Sequence, residues 1–190
     1  HSISGGTDIV SCFMLGNPMK PVFKGEIQSP GLGMDIDVFD DRGLPTRKTG
    51  ELVCKSPFPS KPIYFWNDRN NKKYQSAYFT KYNNIWSHGD FVKKTGNGGY
   101  RVFGRSDATL NPGGVRIGTA EIYNALNSLA FISDSLAVGY KDKNDEKIIL
   151  FLKSNSQINI TSKQITDIKK LIKKQLSPRH VPWKCFQVND

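Results

Sequence analysis

Gly104-Arg105-Ser106-Asp107, then Asn111-Pro112-Gly113-Gly114-Val115-Arg116-Ile117-Gly118, then Glu121-Ile122 is the stretch on which the reading of this chain turns. Two arginines flank a Gly-Gly turn, and the turn leads into Ile122, Ala125, Leu126 and Leu129, which recur at helical spacing. Arginine suits phosphate because its planar fork of donors is always charged. The stretch also divides the chain. Upstream, Met34, Ile36 and Val38 alternate with Asp35 and Asp37, the period of a half-buried strand. Asp40-Asp41-Arg42-Gly43 is turn chemistry, and Glu51-Leu52-Val53-Cys54 suits a return strand. Tyr74, Tyr78, Phe79, Tyr82 and Trp86 read as a packed loop region whose rings belong to a core.

Downstream the character is alternating. Ser135–Tyr140 and Ile148–Leu152 read as strands joined by a charged turn over Lys141–Glu146. Thr161 with Gln164 matches a capping box, and Ile165, Ile168, Leu171 and Ile172 share one face of the helix it opens. Lys169, Lys170, Lys173 and Lys174 lie on the other face. The fold class is therefore mixed α/β. A β-rich part over 1–106 precedes a small α/β unit over 107–190, with a boundary at Asp107.

Three further constellations carry chemistry. In Ser4-Gly5-Gly6-Thr7-Asp8, glycines let the backbone approach a phosphate, a hydroxyl bonds it, and a carboxylate holds its Mg²⁺. In Trp86-Ser87-His88-Gly89-Asp90, a carboxylate after a tight turn is placed to accept ribose hydroxyls. Each of these, taken alone, reads as a plain turn first. In Ser177-Pro178-Arg179-His180-Val181-Pro182, His180 has no visible catalytic partner and reads as structural.

The chain has 190 residues and a formal net charge of +10. Residues 141–190 hold 11 Lys and Arg against 5 Asp and Glu. A basic surface attracts polyanions, or is simply a solvated helix face. No aromatic-basic recognition motif is evident, so nucleic acid is not an expected partner. Cys12, Cys54 and Cys185 are scattered, odd in number and without Cys-x-x-Cys spacing. They read as reduced thiols of a cytosolic protein. No apolar run approaches a membrane span and no signal peptide is visible.

Gly-Arg-x-Asp, Gly-x-Arg-Ile and Glu-Ile together resemble the hinge and lid signature of the adenylate-forming superfamily. Thr7-Asp8, Gly50-Glu51-Leu52 and Trp86-x-x-Gly89-Asp90 resemble its other core motifs, in the right order. Ser2–Ile9, Tyr64–Asp68, Thr109–Pro112 and Ser177–Pro182 resemble the acyl-CoA synthetases that act on acetoacetate. Relatives that act on acetate usually carry tryptophan just before the first motif's threonine, where this chain has Gly5-Gly6.

The resemblance implies a two-step ligation. ATP and acetoacetate give an acyl-adenylate and pyrophosphate, and coenzyme A then displaces AMP. The alternative is the same chemistry on another short-chain acid such as acetate or propionate. It implies that Thr7 contacts the α-phosphate, Asp8 holds Mg²⁺, Asp90 and Arg105 hold the ribose, and Arg116 reaches the phosphates. It implies a hinge at Asp107, a coenzyme A tunnel lined by Gly113 and Gly114, and a coenzyme A contact at Lys173. Gly5 and Gly6 widen the acyl pocket. Asn111 stands where many members have lysine, and His88 where threonine is common. The family's phosphate loop belongs upstream of His1 and its lid lysine beyond Asp190, so the 190 residues alone are expected to be inactive.

Overall fold

The computed structural model describes residues 2–142, 145–155 and 159–189. Its contacts divide into two compact units, His1–Val102 and Phe103–Asp190. The first opens with β1 (Ser4–Gly6), β2 (Ser11–Leu15) and β3 (Ser29–Pro30), an antiparallel sheet in that order. Next come β4 (Ile36–Phe39) and β5 (Gly50–Cys54), which match the alternation and the return strand read from the sequence. Asp40 closes the turn after β4, its Oδ1 accepting the N–H groups of Arg42 and Leu44 at 2.9 and 3.0 Å. A helix, α1 (Lys72–Tyr78), follows, then β6 (Trp86–Lys94) and β7 (Tyr100–Arg105). The second sheet has the order β4-β5-β6-β7.

The aromatic-rich stretch is helical over Lys72–Tyr78, where the sequence suggested a packed loop, and irregular from Phe79 to Ile85, as that reading had it. The Asp68 carboxylate accepts the N–H groups of Lys73 and Tyr74 at 2.9 and 2.8 Å, satisfying donors that a helix start leaves open. Only Tyr74 of this helix is buried, so no apolar period marks it in the sequence. The rings are core, as expected. Tyr74 meets Phe65, Phe79 and Trp86 edge-on, with centroids 5.3 to 6.2 Å apart.

The second unit comprises α2 (Thr119–Leu126), β8 (Ile132–Asp142), β9 (Asp145–Ser154), α3 (Ser162–Gln175) and β10 (Lys184–Val188). β8 and β9 form the expected antiparallel hairpin; Lys143 and Asn144 of its turn lie outside the described residues. β10 joins β9 in parallel, with α3 as the crossover. The capping box is realised: Gln164 N–H donates to Thr161 Oγ1 at 3.2 Å, and Thr161 N–H donates to Gln164 Oε1 at 2.8 Å. Ile168 and Ile172 of α3 and Ile122, Ala125 and Leu126 of α2 pack with Ala137, Ile148, Leu150 and Leu152 of the sheet. Alternate sheet residues such as Leu136 and Phe186 stay exposed, because one face alone is covered.

Candidate functional site

β1 and β6 bring the first two constellations together. Ser4 Oγ donates to Asp90 Oδ2 at 2.6 Å, across 86 residues of sequence. His88 Nε2 lies 3.1 Å from Gly5 O, the right geometry for a hydrogen bond, and 3.8 Å from Asp90 Oδ2. Asp90 is 9% exposed and sits on a bulge. Strand pairing passes from Glu51↔Phe91 to Val53↔Ser87, so His88, Gly89 and Asp90 stand opposite Leu52 alone. Gly89 takes φ +84°, a backbone that glycine adopts freely, and its N–H donates to Glu51 Oε1 at 2.7 Å.

Thr7 and Asp8 form the exposed turn after β1, closed by Val10 N–H donating to Thr7 O at 3.1 Å. The Tyr78 hydroxyl donates to Asp8 Oδ2. The Tyr78 ring stacks on Trp86 with centroids 3.6 Å apart. Trp86, the first residue of its motif, is thus a core side chain supporting the ring that orients Asp8. Among the described residues no group of three or more His, Cys, Asp or Glu gathers to hold a metal. Mg²⁺ characteristically binds through one or two carboxylates plus phosphates and water. A lone accessible Asp8 fits an ion that arrives with a polyphosphate.

Gly5 and Gly6 differ. A Cβ on Gly5 would stand 2.2 Å from Ser11 O and 2.7 Å from Cys12 Cα, so the close approach of β2 excludes any side chain there. A Cβ on Gly6 would meet only His88 Cε1, at 3.3 Å. The absence of a side chain at Gly5 is therefore explained by strand packing, whereas Gly6 has His88 as its one near neighbour.

The third and fourth constellations meet in the second unit. Leu110 and Ile117, both buried, exchange hydrogen bonds of 2.9 and 2.7 Å and pinch off the loop carrying Gly113, Gly114 and Arg116. Gly113 and Gly114 take φ +59° and +74°. Asp145 Oδ1 accepts Gly113 N–H and Glu146 Oε1 accepts Asn111 N–H, both at 2.7 Å. Arg179 donates from Nη1 to Gly113 O at 3.0 Å, across 66 residues. His180 lies between Ser177 Oγ, 2.8 Å from Nδ1, and Glu121 Oε2, 3.6 Å from Nε2, in keeping with a structural role. Arg105 Nε is 3.4 Å from Asp107 Oδ1 with both side chains more than half exposed. Such a pair is worth at most about 1 kcal/mol, so a ligand can displace it. Arg116 and Lys173 are exposed. Residues 106–109 belong to no helix or strand.

Acetoacetyl-coenzyme A synthetase of Rhizobium meliloti is 52% identical over 190 residues, all of this chain and 29% of the relative. The Xenopus tropicalis acetoacetyl-CoA synthetase is 47% identical, again over all of this chain and 29% of its own length. The solved acetoacetyl-CoA synthetase from Streptomyces lividans superposes with TM-score 0.92 at 41% identity, covering 99% of this chain and 28% of that one. This chain is homologous to one segment of the acetoacetyl-CoA synthetases. They are adenylate-forming ligases, and the mixed α/β fold read from the sequence is the fold of that segment. The chain spans less than a third of the length of the acetoacetyl-CoA synthetases it matches. No protein-family model matches it.

Sequence reasoning did not find Ser4, Tyr78, Glu51, Asp145 or Arg179 as partners of the motif residues in this segment. Ser4 stands inside a quoted motif, and Arg179 in another. Tyr78, Glu51 and Asp145 lie 30 or more residues from the groups they hold, beyond the reach of periodicity or spacing.

Gly5→Ala forces β1 from β2 and should destabilise the protein by about 1–3 kcal/mol or more, whereas Gly6→Ala should shift only the His88 ring and cost less. Thermal unfolding of the two variants checks this, and equal losses would refute the distinction. A second outcome concerns acid. The N–H groups of Gly113 and Glu146 hold the Asp145 carboxyl below its ordinary value of 3.8. A depressed carboxylate contributes above its unfolded value and its contribution fades as pH falls through the folded one. After correction for intrinsic rates, hydrogen-exchange protection of the Gly113 amide should be flat above about pH 4 and drop below it. Asp145→Asn should abolish that step.

Proposed function

We propose that this chain is the part of an ATP-dependent acetoacetate–CoA ligase that carries the nucleotide-facing end of the large unit and most of the lid. The observation that supports it best is the 52% identity over a match that spans all 190 residues of the chain.

In this reading the acid's carboxylate oxygen attacks the α-phosphorus of ATP, and the bond to the β-phosphate breaks to release pyrophosphate. The thiol sulfur of coenzyme A then attacks the acyl carbon, losing its proton, and AMP departs. Thr7, on an exposed turn, bonds the α-phosphate. Asp8 holds the Mg²⁺ that neutralises polyphosphate charge, with its carboxylate oriented by Tyr78. Asp90 accepts the ribose hydroxyls from a nearly buried position, where hydrogen bonds to a carboxylate are strong. Arg105 adds a ribose contact by exchanging its weak pairing with Asp107. Arg116, on the pinched loop, binds the phosphates. Chemistry of this kind depends mostly on positioning and charge stabilisation.

Asp107 is the hinge residue in this proposal. Its support is that residues 106–109 lie outside helices and strands, just after the boundary at Val102. Gly113 and Gly114 line the coenzyme A path and Lys173 contacts that substrate. Gly6, whose missing side chain leaves only His88 as a near neighbour, replaces Gly5 as the residue that shapes the acyl pocket. The cytosol is the compartment that suits three unpaired cysteines. Among the described residues no helix is long and apolar enough to cross a membrane.

Arg116→Ala in the full-length enzyme should lower acid-dependent pyrophosphate exchange about 30- to 1000-fold, or roughly 2–4 kcal/mol, with the fold intact. Normal exchange would remove Arg116 from the phosphate site. Substrate choice is tested by AMP release with ATP, coenzyme A and each acid in turn. Acetoacetate should exceed acetate by about a hundredfold in kcat/KM, combining a lost methylene contact with a donor left unanswered. Equal or faster turnover of acetate would overturn the acetoacetate assignment and leave the ligase chemistry standing.

A further inference from the structure

The β6 bulge that carries Asp90 has a cost, because it takes Gly89 N–H out of the ladder between β5 and β6. That donor is answered by a side chain rather than by backbone. Glu51 is only 1% exposed, yet it is an acid in the middle of a strand whose neighbours are Gly50 and Leu52. Its Oε1 accepts Gly89 N–H at 2.7 Å and its Oε2 accepts from Lys81 Nζ at 2.7 Å. An enclosed carboxylate persists only when paired and hydrogen-bonded in this way. The Lys81 side chain is 34% exposed, so its ammonium keeps contact with water while neutralising the acid.

The next residue after Gly89 is Asp90, and Gly89 sits at φ +84°, a conformation with few steric restraints of its own. Backbone freedom at this point would swing the Asp90 carboxylate through an arc. Two of the contacts that restrain it are Ser4 Oγ on the carboxylate itself and Glu51 on the N–H of the His88–Gly89 peptide, where the bulge begins. Bulges re-aim side chains beside functional sites, and this one is held in its conformation by a charge from the neighbouring strand.

We infer that Glu51 is a positioning residue for nucleotide recognition: by accepting Gly89 N–H it fixes the bulge that aims Asp90 at the ribose hydroxyls of ATP. The inference rests on the ribose role of Asp90 in the ligase reading. It requires the acceptor at Oε1 more than the negative charge. Glu51→Gln keeps that acceptor, and Lys81 is exposed enough to turn its ammonium to water. Glu51→Ala removes it.

The test uses the full-length enzyme and compares kcat/KM for ATP with that for 2′-deoxy-ATP and 3′-deoxy-ATP, alongside KM for the acid and the unfolding temperature. Glu51→Ala should lower discrimination against the deoxy nucleotides at least tenfold while leaving KM for the acid unchanged. Glu51→Gln should hold that discrimination within threefold of the parent enzyme. Should Glu51→Ala fail to fold, Glu51→Leu fills the same space without an acceptor and takes its place. A loss of turnover or unfolding temperature with discrimination intact would overturn the proposal and leave Glu51 a structural residue. Equal losses for Ala and Gln would overturn it as well, since the acceptor would then not be the operative feature. Asp90→Ala serves as the reference. If discrimination survives that change, the ribose reading itself falls and takes the inference with it, and that result is distinct from failure at Glu51 alone.

Discussion

The first cluster depends on one interruption of the ladder, at the point where β6 carries a largely buried run of polar residues. In β6 the ladder gives way over His88, Gly89 and Asp90, which together face a single residue of β5. Much of the first cluster is a consequence of that irregularity. The orphaned Gly89 N–H needs an acceptor, which Glu51 supplies from inside the sheet. The displaced His88 reaches Gly5 O of β1, and Asp90 reaches Ser4 Oγ of the same strand. The Ser4–Asp8 turn is thereby fixed against β6 by two contacts from one bulge.

The second unit solves the same problem with the same device. Gly113, like Gly89, sits at positive φ and donates its N–H over 2.7 Å to a carboxylate on a neighbouring strand, here Asp145 at the start of β9. In both places glycine allows the turn and an acid removes the freedom that glycine brings. The two differ in surroundings. Glu51 is enclosed and is neutralised by a lysine, whereas Asp145 is open to solvent and faces no desolvation cost of that size. Arg179 then binds the carbonyl of the same glycine, so the Gly113 peptide is gripped on both its donor and its acceptor. A loop held in this way presents Arg116 from a defined base, Leu110 and Ile117, instead of from a mobile surface segment.

How much of this was legible depends on the range of the signal. The strand alternation at Ile36 and Val38, the capping box at Thr161 and the apolar face of α3 are local patterns, and the structure keeps them. The motif residues were legible for the same reason, since each motif is contiguous. Their partners were not: Glu51 lies 38 residues from Gly89, and Tyr78 lies 70 from Asp8. Nothing in composition or spacing ties such residues together, because only the folded sheets make them neighbours. The helix α1 was missed on different grounds. Its N-cap, Asn71, makes no side-chain cap bond, its first donors are answered by Asp68 three residues earlier, and it buries one residue, so it carries neither an apolar stripe nor a standard capping box. At Gly5 a bare position has two physical causes, space for a ligand or contact with backbone, and sequence does not distinguish them; the fold supplies the backbone contact.

That last distinction changes how the chain's departures from its relatives are to be read. The resemblance implies two: glycines just before Thr7 where acetate-specific relatives carry an indole, and His88 where threonine is common. In the fold Gly6 and His88 are neighbours. A Cβ at Gly6 would press on His88 Cε1 at 3.3 Å, tighter than an ordinary contact. The imidazole would have to give by a few tenths of an ångström, against a ring packed edge-on on Phe13 with centroids 4.7 Å apart and an Nε2 that faces Gly5 O. The size of the side chain at position 6 and the seat of the imidazole at position 88 are therefore coupled in this arrangement.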